Sequence, residues 1–141
     1  MTESSLTHLQ TYFGGRWRDA SGPRYTTEYP ATGHAVASLH AATAADVDEA
    51  LQFAQHARQK ADWADLLPHQ RAAILHRMAR LITEQGEELA RLQRLDNGKP
   101  VKECRALVAS AAGTFQYFAA VCETFEDSVT PQRGAFMSMS L

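Results

Sequence analysis

Residues 67–100, LPHQRAAILHRMARLITEQGEELARLQRLDNGKP, most tightly constrain what this chain can fold into. Pro68 suits the first turn of a helix, where its missing N–H is not needed, and Gly86 reads as a stop just past the end of that helix. A second helix is expected from Glu87, closed by the run Asp96, Asn97, Gly98, Lys99, Pro100. In the first helix Ala72, Leu75, Met78, Ala79 and Ile82 recur at three- and four-residue spacing and make one apolar stripe. Leu89, Leu92 and Leu95 do the same in the second, while the polar faces are mostly charged and include the i, i+4 pair Arg80 and Glu84. Two short amphipathic helices cannot bury their own stripes. The unit is therefore a scaffold on which other pieces pack.

A chain of 141 residues has the length of one ordinary domain. Its net charge of −2 sets up no basic field for nucleic acid or anionic lipid. The first ten residues show neither a basic start nor an apolar run, so a cytoplasmic protein is expected. Cys104 and Cys122 fall on one expected helix, where 18 residues of separation correspond to about 27 Å. An intrachain bridge tolerates roughly 7 Å, so both read as small apolar residues.

The remaining stretches read as follows. Residues 1–10 are expected to be flexible. Residues 11–18, TYFGGRWR, form a β-hairpin with Gly14 and Gly15 as its two-residue turn. Residues 24–29 are a strand rich in Thr and Tyr, and Pro30, Ala31, Thr32 and Gly33 make a turn. Residues 34–40 are a second strand in which Val36 spoils the alternation. Thr43 and Asp46 open a helix that carries Val47, Ala50, Leu51, Ala54, Ala57 and Ala61 on one face. Residues 62–67 are a connection with Trp63 as packing anchor. The longest helix spans residues 101–124, with Cys104, Val108, Ala111, Phe115, Phe118, Ala119 and Cys122 as its stripe. Residues 106–122 lack charge, but 17 residues diluted by Ser110, Gly113, Thr114 and Gln116 fall short of the usual span of about 20. This is a buried core helix, and no membrane segment is expected. Residues 126–130 turn the chain, and residues 134–141, GAFMSMSL, alternate like a strand without a partner nearby. The fold class is α+β: N-terminal β-hairpins, four helices and one strand.

A search for chemistry finds little. His69 and His76 lie two helical turns apart, about 10.5 Å, too far to share an ion unaided. No clustered Cys/His spacing, Gly-x-Gly-x-x-Gly run or P-loop occurs. The acidic group Asp46, Asp48 and Glu49, like Glu87 and Glu88, reads as the negative first turn of a helix. The residues by themselves offer no active site.

Taken in order, TYFGGRW, YPATG, ADVDEAL, WADLLPHQRAAIL, EELARLQRLDNGKP and FQYFA resemble the N-terminal part of the NAD(P)-dependent aldehyde dehydrogenase superfamily. The likeness covers residues 11–141. LDNGKP after EELA is its most specific element, and Tyr29 departs from it, the family usually having Asn before the Pro. The resemblance implies that residues 11–125 are the N-terminal portion of a cofactor-binding domain, and that residues 126–141 begin an oligomerisation arm. It implies a full-length enzyme that oxidises an aldehyde to a carboxylic acid with NAD or NADP, through a Cys nucleophile absent from this chain. No catalytic or cofactor-binding residue carries over. One feature does: a monovalent-cation site for K or Na, using the carboxylate of Asp96 and the backbone carbonyl of Glu28 with a third ligand from outside this chain; the alternative is that Asp96 simply stabilises the turn into Asn97 and Gly98. The partners implied are the remainder of the enzyme and further subunits, in a homo-oligomer joined through residues 134–141. A free-standing helical interaction module without catalytic activity is the alternative, and a reading frame continuing past Leu141 distinguishes the two.

Overall fold

Two adjacent glycines set the first turn of the computed structural model, which describes residues 6–126, 128–129, 134–135 and 139–140. β2 (Thr11–Phe13) and β3 (Arg16–Arg18) pair antiparallel, with Tyr12 opposite Trp17 and Phe13 opposite Arg16. Gly14 and Gly15 take φ of 62° and 79°, the pair of positive values that a primed two-residue turn requires. Gly14 also admits a close approach: a Cβ there would stand 3.0 Å from the Phe53 ring. Phe53 lies on α1 (Ala44–Gln59), and the Phe13 and Phe53 rings meet at 6.0 Å. Arg18 completes this docking, its guanidinium 4.1 Å from the Phe13 ring and its Nη1 donating to Glu49 Oε1 at 2.7 Å.

The second sheet contains a strand that the sequence did not announce. β1 (Thr7–His8) pairs parallel to the middle of β5 (His34–His40), so residues 7 and 8 are ordered where a flexible start was expected. Two residues are too few to show a period, and the neighbour that orders them is distant in sequence. β4 (Arg24–Tyr29) flanks β5 on the other side, antiparallel, giving the order β1-β5-β4. Thr27 faces Ala37 while Glu28 faces Ala35, so Val36 is an extra residue on β5. This bulge is the physical reason Val36 breaks the alternation. Beyond it both Ala37 and Ser38 are buried, at 4% and 0% exposure, and Ser38 Oγ accepts from Arg24 Nη2 at 3.0 Å.

α1 starts as expected. The Thr43 hydroxyl accepts the Asp46 N–H at 3.3 Å and the Asp46 carboxylate accepts the Thr43 N–H at 2.7 Å, a reciprocal cap. The same carboxylate accepts the N–H and hydroxyl of Ser21 at 3.0 and 2.7 Å, tying the preceding loop to the helix. The apolar face expected on α1 is not buried: the helix has no buried residue, and Val47 and Leu51 are 49% and 62% exposed. Trp63 is not the anchor expected either. It sits exposed on a short helix, α2 (Ala61–Ala64), within the span read as a connection, and only the Arg71 guanidinium lies over its ring.

α3 (Pro68–Glu84) and α4 (Gly86–Asn97) meet at Gln85, which ends one and begins the other. Gly86 is therefore the first residue of α4 rather than a stop, and its φ is not among the positive values. α5 (Val101–Thr124) packs antiparallel on α3: its Cys122 thiol donates to the Pro68 carbonyl at 3.4 Å, while Gly86 lies 3.9 Å (Cβ position) from Val108 near the other end. The seam is made of small residues. Ala72, Ala79, Ala90, Ala119 and Cys104 are at most 1% exposed, with Ala112 at 5%. Of the leucine stripe expected on α4, Leu89 and Leu95 are half-buried beside the buried Ala90 while Leu92 is exposed, and on α5 Ala112 is buried where Ala111 and Phe118, both exposed, were expected. Among the described residues Cys104 is the largest fully buried apolar side chain. A buried CH₂ contributes about 0.8 kcal/mol, so this core holds helices close together without burying large apolar groups.

Within residues 134–141, Gly134 and Ala135 form a turn, β7 (Met139–Ser140) is a strand, and residues 136–138 and 141 lie outside the described part. The expectation of a partnerless strand is corrected: β7 pairs antiparallel with β6 (Ser128–Val129). Among the described residues no helix is long and apolar enough to cross a membrane.

Candidate functional site at the end of helix α4

The LDNGKP run builds a corner. α4 ends with Gly98 at φ 71°, its N–H bonded to the Arg94 carbonyl at 2.9 Å, which is the left-handed cap glycine favours. Asn97 Oδ1 accepts the Lys99 N–H at 3.0 Å, and Pro100 then opens α5. A Cβ on Gly98 would lie 3.2 Å from Pro30 Cβ, so the cap rests on the turn between β4 and β5. That turn closes through its backbone: the Tyr29 carbonyl accepts the N–H groups of Thr32 and Gly33 at 3.1 and 2.8 Å. The Tyr29 ring lies 5.8 Å from the Arg94 guanidinium, near the outer limit of a cation–π contact.

The contact brings Asp96 and the strand bearing Glu28 to one corner of the fold. Asp96 lines an open cleft of about 550 Å³ between α4 and the sheet, together with Thr27, Val36, Ala37, Leu92 and Leu95. Glu28 is exposed and sits beside the register shift in the ladder. Oxygen donors of this kind are what a hard cation takes.

Elsewhere several titratable groups have structural partners. His8 Nε2 donates to Asp19 Oδ1 at 2.7 Å, and with Gln10 this holds the Asp19 carboxyl below its ordinary value. His40 and His56 donate from Nδ1 to the carbonyls of Gly22 and Gln52. Among the acidic residues read as first-turn charges, Asp46 is the cap already described. Its carboxyl is held well below the usual aspartate range by the N–H groups of Thr43 and Ser21 and then by their hydroxyls. Glu49 reaches Arg18, while Glu87 forms a two-point pair with Arg105 and Glu88 one with Arg91. Those guanidinium hydrogen bonds lower the Glu87 and Glu88 carboxyls. Both thiols are free and both donate to backbone carbonyls, Cys104 to Lys99 and Cys122 to Pro68. Among the described residues no three His, Cys, Asp or Glu are grouped to hold a metal. The positive-φ glycines among the described residues sit in turns and a helix cap.

A family profile described as the aldehyde dehydrogenase family matches residues 17–140. The chain belongs to that family. It is 34% identical over 129 residues to DhaS of Bacillus subtilis (strain 168), which carries the aldehyde dehydrogenase name; the match covers 90% of this chain and 26% of the relative. Among solved structures, the NAD+ complex of an aldehyde dehydrogenase from Bacillus cereus superposes with a TM-score of 0.87 at 27% identity, over 92% of this chain and 27% of that one. PnpE from Pseudomonas sp. WBC-3 gives 0.86 at 34% identity, over 94% and 27%. The chain therefore spans about a quarter of the length of these relatives, and its α+β arrangement corresponds to the N-terminal part of the aldehyde dehydrogenase fold.

Proposed function

We propose that residues 11–125 serve as the outer, N-terminal portion of the cofactor-binding domain of an NAD(P)-dependent aldehyde dehydrogenase, and that residues 126–141 begin the arm that joins its subunits into a homo-oligomer. The full-length enzyme oxidises an aldehyde to a carboxylic acid with NAD or NADP, through a Cys nucleophile outside these residues. The observation that carries the reading is a second apolar face. Ile74, Met78 and Leu81 line one side of α3 at helical spacing and are 40–41% exposed, and Leu107 and Phe118 of α5 are 42% and 55% exposed. Helices with two apolar sides belong in the interior of a layered fold, and in relatives that share this fold the matched part is only 27% and 31% of the chain. Two free cysteines fit a reducing, cytoplasmic setting.

The pure 141-residue chain should reduce neither NAD+ nor NADP+ with an aldehyde, because its described residues present no activated nucleophile, base or cofactor cradle. A reading frame continuing past Leu141 into parallel strands and a Cys-bearing loop should give an active product. Turnover by the 141-residue chain that survives Cys104→Ser and Cys122→Ser would overturn the assignment, and a stop codon after Leu141 would favour a free-standing helical module.

At the α4 corner we propose a K or Na ion held by the Asp96 carboxylate and the Glu28 carbonyl, with its other ligands from outside this chain. The seating of Gly98 on Pro30 supports the placement. In the full-length enzyme Asp96→Ala should make thermal stability insensitive to potassium or sodium. A salt response equal to that of the parent would leave Asp96 with only its place in the turn.

A further inference from the structure

Asn97 is the sole asparagine of the chain, and it precedes a glycine. Asn-Gly is the step at which asparagine most readily loses its amide. The Gly98 nitrogen attacks Asn97 Cγ, a C–N bond forms and ammonia leaves, and water then opens the succinimide to aspartate or isoaspartate. No oxidant or cofactor enters. Glycine favours the attack because it has no Cβ to crowd the nitrogen.

The geometry at the end of α4 opposes the attack. The Gly98 N–H is engaged by the Arg94 carbonyl at 2.9 Å. The Asn97 side chain is turned toward the Lys99 N–H, which its Oδ1 accepts at 3.0 Å. Asn97 itself is the last residue of α4, with Gly98 in the left-handed cap conformation against Pro30. Ring closure needs the Gly98 nitrogen free and the Asn97 backbone out of its helical setting, so each of these contacts must break first.

We propose that Asn97–Gly98 is a spontaneous deamidation site that the α4 cap keeps closed. Its reaction rate then reports how often this corner opens. The product matters locally, because either form places a new carboxylate next to Asp96, and isoaspartate adds a main-chain carbon where the chain turns from α4 into α5.

The test is to hold the 141-residue chain at mildly basic pH with and without urea, and to follow the peptide containing Asn97 by mass spectrometry. Asn97→Asp marks the elution of the aspartate product and leaves isoaspartate as the second peak. Conversion should be at least about tenfold faster in urea, since exchange through local opening scales with the open population. Equal rates in both conditions would overturn the protection by the cap, and no conversion in urea would overturn the site.

Discussion

At the scale of single residues, Asp46 shows how much one side chain does here. Its carboxylate accepts four hydrogen bonds, from the N–H and hydroxyl of both Thr43 and Ser21, and so caps α1 and fastens the loop before β4 at once. These donors hold its carboxyl well below the ordinary value of 3.8. A carboxyl lowered by folding stabilises the fold fully above its unfolded value, and the gain is lost as pH falls through that value toward the folded one. Asp46→Asn should therefore be less stable than the parent at neutral pH, with the gap narrowing below about pH 3.8. Urea unfolding midpoints across the acid range check this, and a gap that stayed constant into strong acid would mean that the carboxylate charge is not what the cap uses. The Thr-x-x-Asp start was legible in the sequence. The reach to Ser21 was not, because it depends on a loop that only the fold brings back.

Among the elements, those fixed by local chemistry were the legible ones. The strands at Arg24–Tyr29 and His34–His40 and the Gly-Gly hairpin fall where pattern and turn residues place them. Gly86 misled because a glycine stop requires positive φ, and here Gln85 absorbs the bend instead. The stripe on α5 misled for a different reason. Hydropathy favours Phe118 over Ala112, yet a close helix contact selects the smaller side chain, and Phe118 stays 55% exposed while Ala119 is fully buried. That choice is testable by adding volume. Ala119→Leu should cost about 1–3 kcal/mol through overpacking, whereas Ala111→Leu on the exposed side should stay within about 0.5 kcal/mol. Chemical denaturation of both variants would separate them, and equal costs would put the seam elsewhere. Of the candidate cation site, only the residue types were readable. Asp96 and Glu28 came from a family likeness, and the contact of Gly98 with Pro30, which sets the end of α4 against the turn between β4 and β5, is encoded by no sequence period.

For the whole molecule, the balance of surfaces decides the behaviour. The seam between α3 and α5 is closed by alanines, while Leu51, Leu92, Tyr117 and Phe118 remain 48–65% exposed on three helices. Apolar patches beyond a few hundred Å² mark association sites on soluble proteins. The C-terminal strand is not the bare edge its sequence suggested, because β6 already pairs with β7. The helical faces are thus the main drive to associate, with the outer edge of that two-strand pair as a second route. Such association is expected of 141 residues proposed as a scaffold that further polypeptide completes. Sedimentation velocity of the purified chain over a concentration series tests that claim most directly. Sedimentation coefficients should rise with concentration as the uncovered helical faces meet. A single monomeric boundary, unchanged across the series, would contradict it, because the helices would then be closing their own core.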